Sequence, residues 1–156
     1  MDETDLYSVR YRPGFSRVLT SWQVFIARNR WLRQKVLVYD DESPYHNRVL
    51  WFWAKLSRRE MAAIAEIVER VGFRAFLQHY QHETMCVTDC ASYFISVRFG
   101  KRVKQVEAYD MPRVAKFERQ PAVAGLQELW EAITARAPFE KVPIEQGLPR
   151  PWWRFW

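Results

Sequence analysis

His79, His82, Cys86 and Cys90 are the residue types that hold zinc in a tetrahedral Cys2His2 site, and they crowd into one short stretch of the chain. Their spacing, with two, three and three residues between successive members, leaves no loop long enough to fold around the ion as a finger or knuckle does. Two surface histidines and two small apolar thiols account for the same residues without a metal. A Cys86–Cys90 disulfide meets a geometric obstacle in an extended segment, where four residues cover about 13 Å, whereas a bridge needs Cα atoms within about 7 Å. Only a turn over that segment removes the obstacle. As nucleophiles the thiols lack a helix start and a designated base, and Asp89 reads as a turn or cap residue before a strand. Asp40, Asp41 and Glu42 with His46 could form an acid–base group, but a polar loop around Pro44 explains them at lower cost. The five glycines are scattered and cradle no phosphate. These residues point away from an enzyme, and no cofactor or metal is expected.

Charge carries a clearer signal. Arg28, Arg30, Arg33 and Lys35 gather around one expected hairpin, and Arg98, Lys101, Arg102 and Lys104 around another. If one sheet holds both, the clusters merge into a basic face with Trp31 available to stack on bases, which is the nucleic-acid reading. The competing readings are solvated charges that keep sheet edges from self-association and a surface for an acidic protein, and the lack of any named nucleic-acid motif favours these two. At the far end of the chain, Arg150, Trp152, Trp153, Arg154, Phe155 and Trp156 have a composition suited to a protein groove or, less so, to a membrane surface. The alternative is that this segment folds back over its own sheet.

The elements that must position these groups follow from patterning. A chain of 156 residues is one ordinary domain, able to bury roughly 68 to 70% of its unfolded surface without staples. Eight Trp, ten Phe and seven Tyr are more aromatic surface than such a core readily hides, so some rings are expected at an interface. The formal net charge of +6 favours acidic partners. Acidic residues follow Met1 where a secretory signal would be basic and then apolar, and no run approaches about 18 apolar residues, so a cytoplasmic protein with reduced thiols is expected.

Leu6 to Tyr11 alternates as a strand and stops at Arg12-Pro13-Gly14. Trp22 to Ala27 and Trp31 to Tyr39 form a hairpin around Arg28-Asn29-Arg30, with Asn29 placed to take the left-handed conformation. Val49 to Leu56 gives an aromatic-rich fourth strand. Ser57 and Glu60 match the capping box, and the apolar spacing predicts a helix from Ser57 to Val71, stopped by Gly72. Tyr93, Ile95, Val97 and Phe99 alternate up to the turn at Gly100-Lys101, whose two-residue length sets Ile95 opposite Val106 and Tyr93 opposite Ala108. Pro121 opens a second helix with Val123, Leu126, Leu129, Trp130 and Ile133 on one face, closed by Pro138.

The expected fold is α+β, an antiparallel sheet of about six strands with two helices in the order ββββαββα. The domain covers residues 1–137, and residues 138–156 form an extended Pro-, Trp- and Arg-rich arm.

Arg12-Pro13-Gly14-Phe15 resembles the signature after the first strand of emfourin-like proteins, bacterial inhibitors of thermolysin-type metalloproteases. Leu56-Ser57 to Glu60, Gly72-Phe73, and Val87-Thr88-Asp89 before a hairpin ending in Val106 and Tyr109 resemble related small bacterial domains. The likeness runs from Tyr7 to Ala137 and implies binding without catalysis or cofactor. The chain departs from that pattern in its Arg28-Asn29 turn, its basic hairpin tips and its Trp-rich arm. The sequence therefore leads to a non-enzymatic module that binds another protein, as an accessory subunit or inhibitor-like domain, with a nucleic-acid-binding module on the same basic tips as the alternative.

Overall fold

The strands of this chain are set by period-2 alternation. In a computed structural model, which describes residues 1–14, 20–38, 48–81, 90–117 and 120–137, they form one seven-stranded sheet. The strands are β1 (Asp5–Arg12), β2 (Thr20–Ala27), β3 (Trp31–Val38), β4 (Arg48–Lys55), β5 (His79–Tyr80), β6 (Ser92–Phe99) and β7 (Arg102–Tyr109), and they lie in the order β4-β3-β2-β1-β6-β7-β5. Helices α1 (Arg58–Arg70), α2 (Met111–Phe117) and α3 (Pro121–Thr134) complete the fold. The loop around Pro44, the segment His82 to Asp89 and the arm from Pro138 lie outside the described residues.

The α+β class and the ββββαββα core of the order agree with the sequence reading, and Ile95 pairs with Val106 and Tyr93 with Ala108 as its turn requires. Three details differ. β5 is a two-residue strand parallel to β7, too short to leave a periodic trace. α2 is a third helix that the apolar spacing did not announce; before it Asp110 takes a φ of 50°, and its carbonyl accepts from the Arg113 and Val114 amides. In the β2–β3 turn the left-handed residue is Arg30, with φ of 72°, while Asn29 instead accepts a 3.2 Å hydrogen bond from the Trp31 amide through Oδ1.

One sheet face makes the core. Tyr7, Val9, Val24, Ile26, Leu32, Ile95, Val97 and Val106 share it by register, and they pack with Ile64 and Val68 of α1 and Val123, Leu126, Leu129 and Ile133 of α3. Each such fully buried aliphatic contributes about 1.5–3 kcal/mol. Part of the aromatic surplus is used here: Trp22 and Tyr93 both rest on Trp130, at ring separations of 5.2 and 5.0 Å, and Tyr11 touches both Trp22 and Tyr93. α1 begins as its sequence dictates, with Ser57 and Glu60 closing a reciprocal capping box.

Candidate functional site

The opposite face of the sheet has no described helix on it, and its composition is set by the same alternation. In β3 and β4 the residues that point there are Trp31, Arg33, Lys35 and Leu37, and Val49, Trp51, Trp53 and Lys55. The register places Trp31 against Lys55, Arg33 against Trp53 and Lys35 against Trp51. Every one of these pairs sets a cation beside an indole.

Side-chain geometry follows that checkerboard. Lys55 Nζ sits 4.6 Å from the Trp31 ring centre and Lys35 Nζ 5.9 Å from that of Trp51, within the range of cation–π attraction. Trp51 and Trp53, two apart on one strand, lean on each other with ring centres 6.2 Å apart and planes 25° from parallel. The three indoles remain 42%, 47% and 58% exposed for Trp31, Trp51 and Trp53. Toward the middle of the sheet the pattern continues, with the Arg33 guanidinium 5.4 Å from the Phe25 ring and that of Arg10 4.1 Å from Phe94.

A groove of about 330 Å³ opens between Thr4, Ala27, Asn29, Trp31, Arg33 and Trp53. Arg33 is fixed there by the acidic start of the chain: Nη2 donates to Asp2 Oδ2 and to both carboxylate oxygens of the buried Asp5. Burial pulls the pKa of this guanidinium down, but the hydrogen bonds and charges of Asp2 and Asp5 outweigh it and hold it above its ordinary value. Its Nε is buried without a hydrogen-bond partner.

The basic residues expected at the two hairpins separate into different environments. Arg28 is exposed at the β2–β3 turn, and Arg30 ties that turn to the end of β4 through a 3.3 Å bond from Nη1 to the Leu56 carbonyl. Trp31, Arg33 and Lys35 lie on the helix-free face. Both turns sit at the same end of the sheet, because β1 runs antiparallel to both β2 and β6. The acidic N-terminal segment lies between them, where Arg98 donates to the carbonyls of Asp5 and Asp2 at 2.9 and 3.0 Å. Lys101 and Arg102 are exposed at the tip. Lys104 points to the helix side, donating to the carbonyls of Arg74 and Phe76 at 2.5 and 2.6 Å. Arg150, Trp152, Trp153, Arg154, Phe155 and Trp156 lie outside the described residues.

Sequence reasoning passed over Trp51, Trp53 and Lys55 as site residues, although their i, i+2, i+4 spacing in VLWFWAK places them on one strand face. Of the four candidate metal ligands, His82 and Cys86 lie outside the described residues. His79 Nδ1 lies 3.1 Å from Glu107 Oε2, and the Cys90 amide donates to the Tyr109 hydroxyl at 2.7 Å. Among the described residues no group of three His, Cys, Asp or Glu side chains is placed to hold a metal ion, and no described helix is long and apolar enough to cross a membrane. No model of a known protein family matches the chain, and no curated protein matches it.

Proposed function

We propose that this chain is a non-enzymatic binding module that docks an acidic protein on the helix-free face of its sheet, with Trp31, Trp51 and Trp53 as anchors and Lys35 and Lys55 beside them. It serves as an accessory subunit or inhibitor-like domain of a larger assembly, and inhibition of a thermolysin-type protease is the special case that its resemblance suggests. The observation that carries this reading is the cross-strand alternation of cations and half-exposed indoles. Tryptophan and arginine are the residues that dominate binding energy at protein interfaces, and the surrounding charge selects an acidic partner.

A nucleic-acid partner is the second reading, motivated by exposed indoles beside cations. Stacking on bases needs free ring faces, whereas Trp51 and Trp53 lean on each other and Lys55 lies over Trp31. These rings are better arranged to enter a protein surface edge-first.

The test compares what the full chain retains from its native host with what a Trp51→Ala/Trp53→Ala/Lys55→Glu variant retains. The expected result is a protein of acidic isoelectric point that the variant loses and that nuclease treatment leaves in place. Retention by both forms, or loss on nuclease treatment, removes this reading.

A further inference from the structure

β4 ends the sheet on one side, and among the described residues nothing pairs with its outer edge. Natural sheets blunt such edges with prolines, bulges, central charges or short strands. β4 has none of these. All eight of its residues pair with β3 in unbroken register, and between Arg48 and Lys55 its sequence VLWFWA carries no charge, proline or glycine. The other end of the sheet is managed differently: β7 is partly covered by the two residues of β5, and Lys101 and Arg102 stand exposed where it begins.

We infer that β4 takes an extended segment of the partner as an eighth strand, and that this segment alternates acidic with apolar residues. The inference rests on the protein-docking reading and specifies how docking occurs. An added strand alternates its side chains between the two faces. On the helix-free face they lie beside Val49, Trp51, Trp53 and Lys55, with Lys35 one strand further in. A glutamate there packs its methylenes on an indole and brings its carboxylate to an ammonium. On the helix side they lie beside the partly exposed Leu50 and Ala54, which call for apolar residues. Backbone hydrogen bonds supply affinity, and the alternation supplies selectivity.

Two other occupants fit less well. A second copy paired β4 to β4 brings two faces rich in Lys and Arg side by side, in a chain of net charge +6. The chain's own residues 138–156 include four prolines and carry Lys141, Arg150 and Arg154 against Glu140 and Glu145; proline cannot donate to a ladder, and the segment has no acidic excess.

The experiment uses the full chain and a synthetic peptide of alternating glutamate and valine, matched to β4 in length. A second peptide of the same sequence is N-methylated at alternate backbone positions. Binding is measured by calorimetry, and amide hydrogen exchange is followed residue by residue. The expected result is saturable binding, slowed exchange at alternate amides of β4, and loss of affinity by about tenfold or more on N-methylation of the edge-facing amides, through lost hydrogen bonds. A Lys35→Glu/Lys55→Glu variant of unchanged circular dichroism weakens the same peptide.

Equal binding of both peptides, or no protection of β4 by peptide or by a captured partner, overturns strand addition and leaves face docking standing. Outward β4 amides already protected in the free monomer mean that the chain covers its own edge, and protection that rises with protein concentration alongside dimerisation means that a second copy does. Either result also overturns the inference.

Discussion

Arg33 Nη2 donates to both carboxylate oxygens of Asp5 at 2.9 and 3.0 Å, joining a fully buried acid on β1 to a guanidinium on β3 whose side chain is 24% exposed. The two partners are unequal in what they leave behind. Arg33→Ala leaves the buried carboxylate with the Asp2 amide as donor at 2.8 Å but without its cation, and is expected to cost about 3 kcal/mol, the low end for breaking a buried pair because solvent reaches the guanidinium. Asp5→Ala leaves a cation that still has Asp2 and water and is expected to cost less. Urea denaturation of the two variants checks the order, and equal losses would falsify the asymmetry.

The capping box makes a pH prediction. Hydrogen bonds from the Ser57 backbone and side chain, helped by Arg136, lower the Glu60 pKa from 4.5 to about 2. A lowered folded-state pKa stabilises above the unfolded value and is lost as pH falls through the folded one, so this contribution declines between pH 4.5 and about 2. Glu60→Gln is expected to flatten part of the melting-temperature loss in that window, and Ser57→Ala to cost about 1 kcal/mol at neutral pH.

Gly125 of α3 faces Val71, the residue that caps the end of α1. A Cβ there meets Val71 Cγ1 at 3.1 Å and Val71 Cβ at 3.2 Å. Alanine ordinarily gains about 1 kcal/mol over glycine inside a helix, but here the branched Val71 must yield, and Gly125→Ala is expected to destabilise. In a Val71→Ala background the same change should become neutral or stabilising. A double-mutant cycle without coupling between the two sites would remove this account.

Burial, with smaller effects from Tyr11, Asp110 and Cys90, pushes the Tyr93 phenol well above its ordinary pKa of 10, and burial also raises Tyr11. A raised folded-state pKa stabilises below the unfolded value and is lost at higher pH, so stability should fall above pH 10. Ultraviolet titration is expected to show these phenols ionising late, and Tyr93→Phe to soften the alkaline decline.

Trp51→Ala and Trp53→Ala are expected to shift stability by no more than about 0.5–1 kcal/mol, as for substitutions outside a core. By contrast, Trp130→Ala, within the ring cluster under the sheet, should cost about 3–5 kcal/mol. Parallel thermal melts distinguish them; a large loss at Trp53 would mean that the exposed indoles hold the fold rather than a partner.

What the sequence made legible was local chemistry. Ser57 and Glu60 set the start of α1, Pro121 opened α3, and the two-residue turn at Gly100-Lys101 set the β6–β7 register. Sheet order was not legible, because β1 finds β6 across most of the chain and no turn specifies that pairing. The candidate face shows the same division. Alternation alone puts Trp51, Trp53 and Lys55 on one side of β4, but the cation beside each ring depends on the β3–β4 register, which the intervening loop does not announce. Lys104 looked like its neighbours in sequence, and only the fold turned it toward the helices.

The placement of β1 between β2 and β6 also orders events during synthesis. A ribosome releasing residues 5–55 delivers β1 to β4 before β6 exists, so the β1 edge that β6 covers lacks its partner. β1 stays bare until Ser92–Phe99 has emerged, and closing that long-range pair is the step that contact order makes slow. Throughout that interval the unpaired β1 edge is a template on which a neighbouring nascent chain can pair.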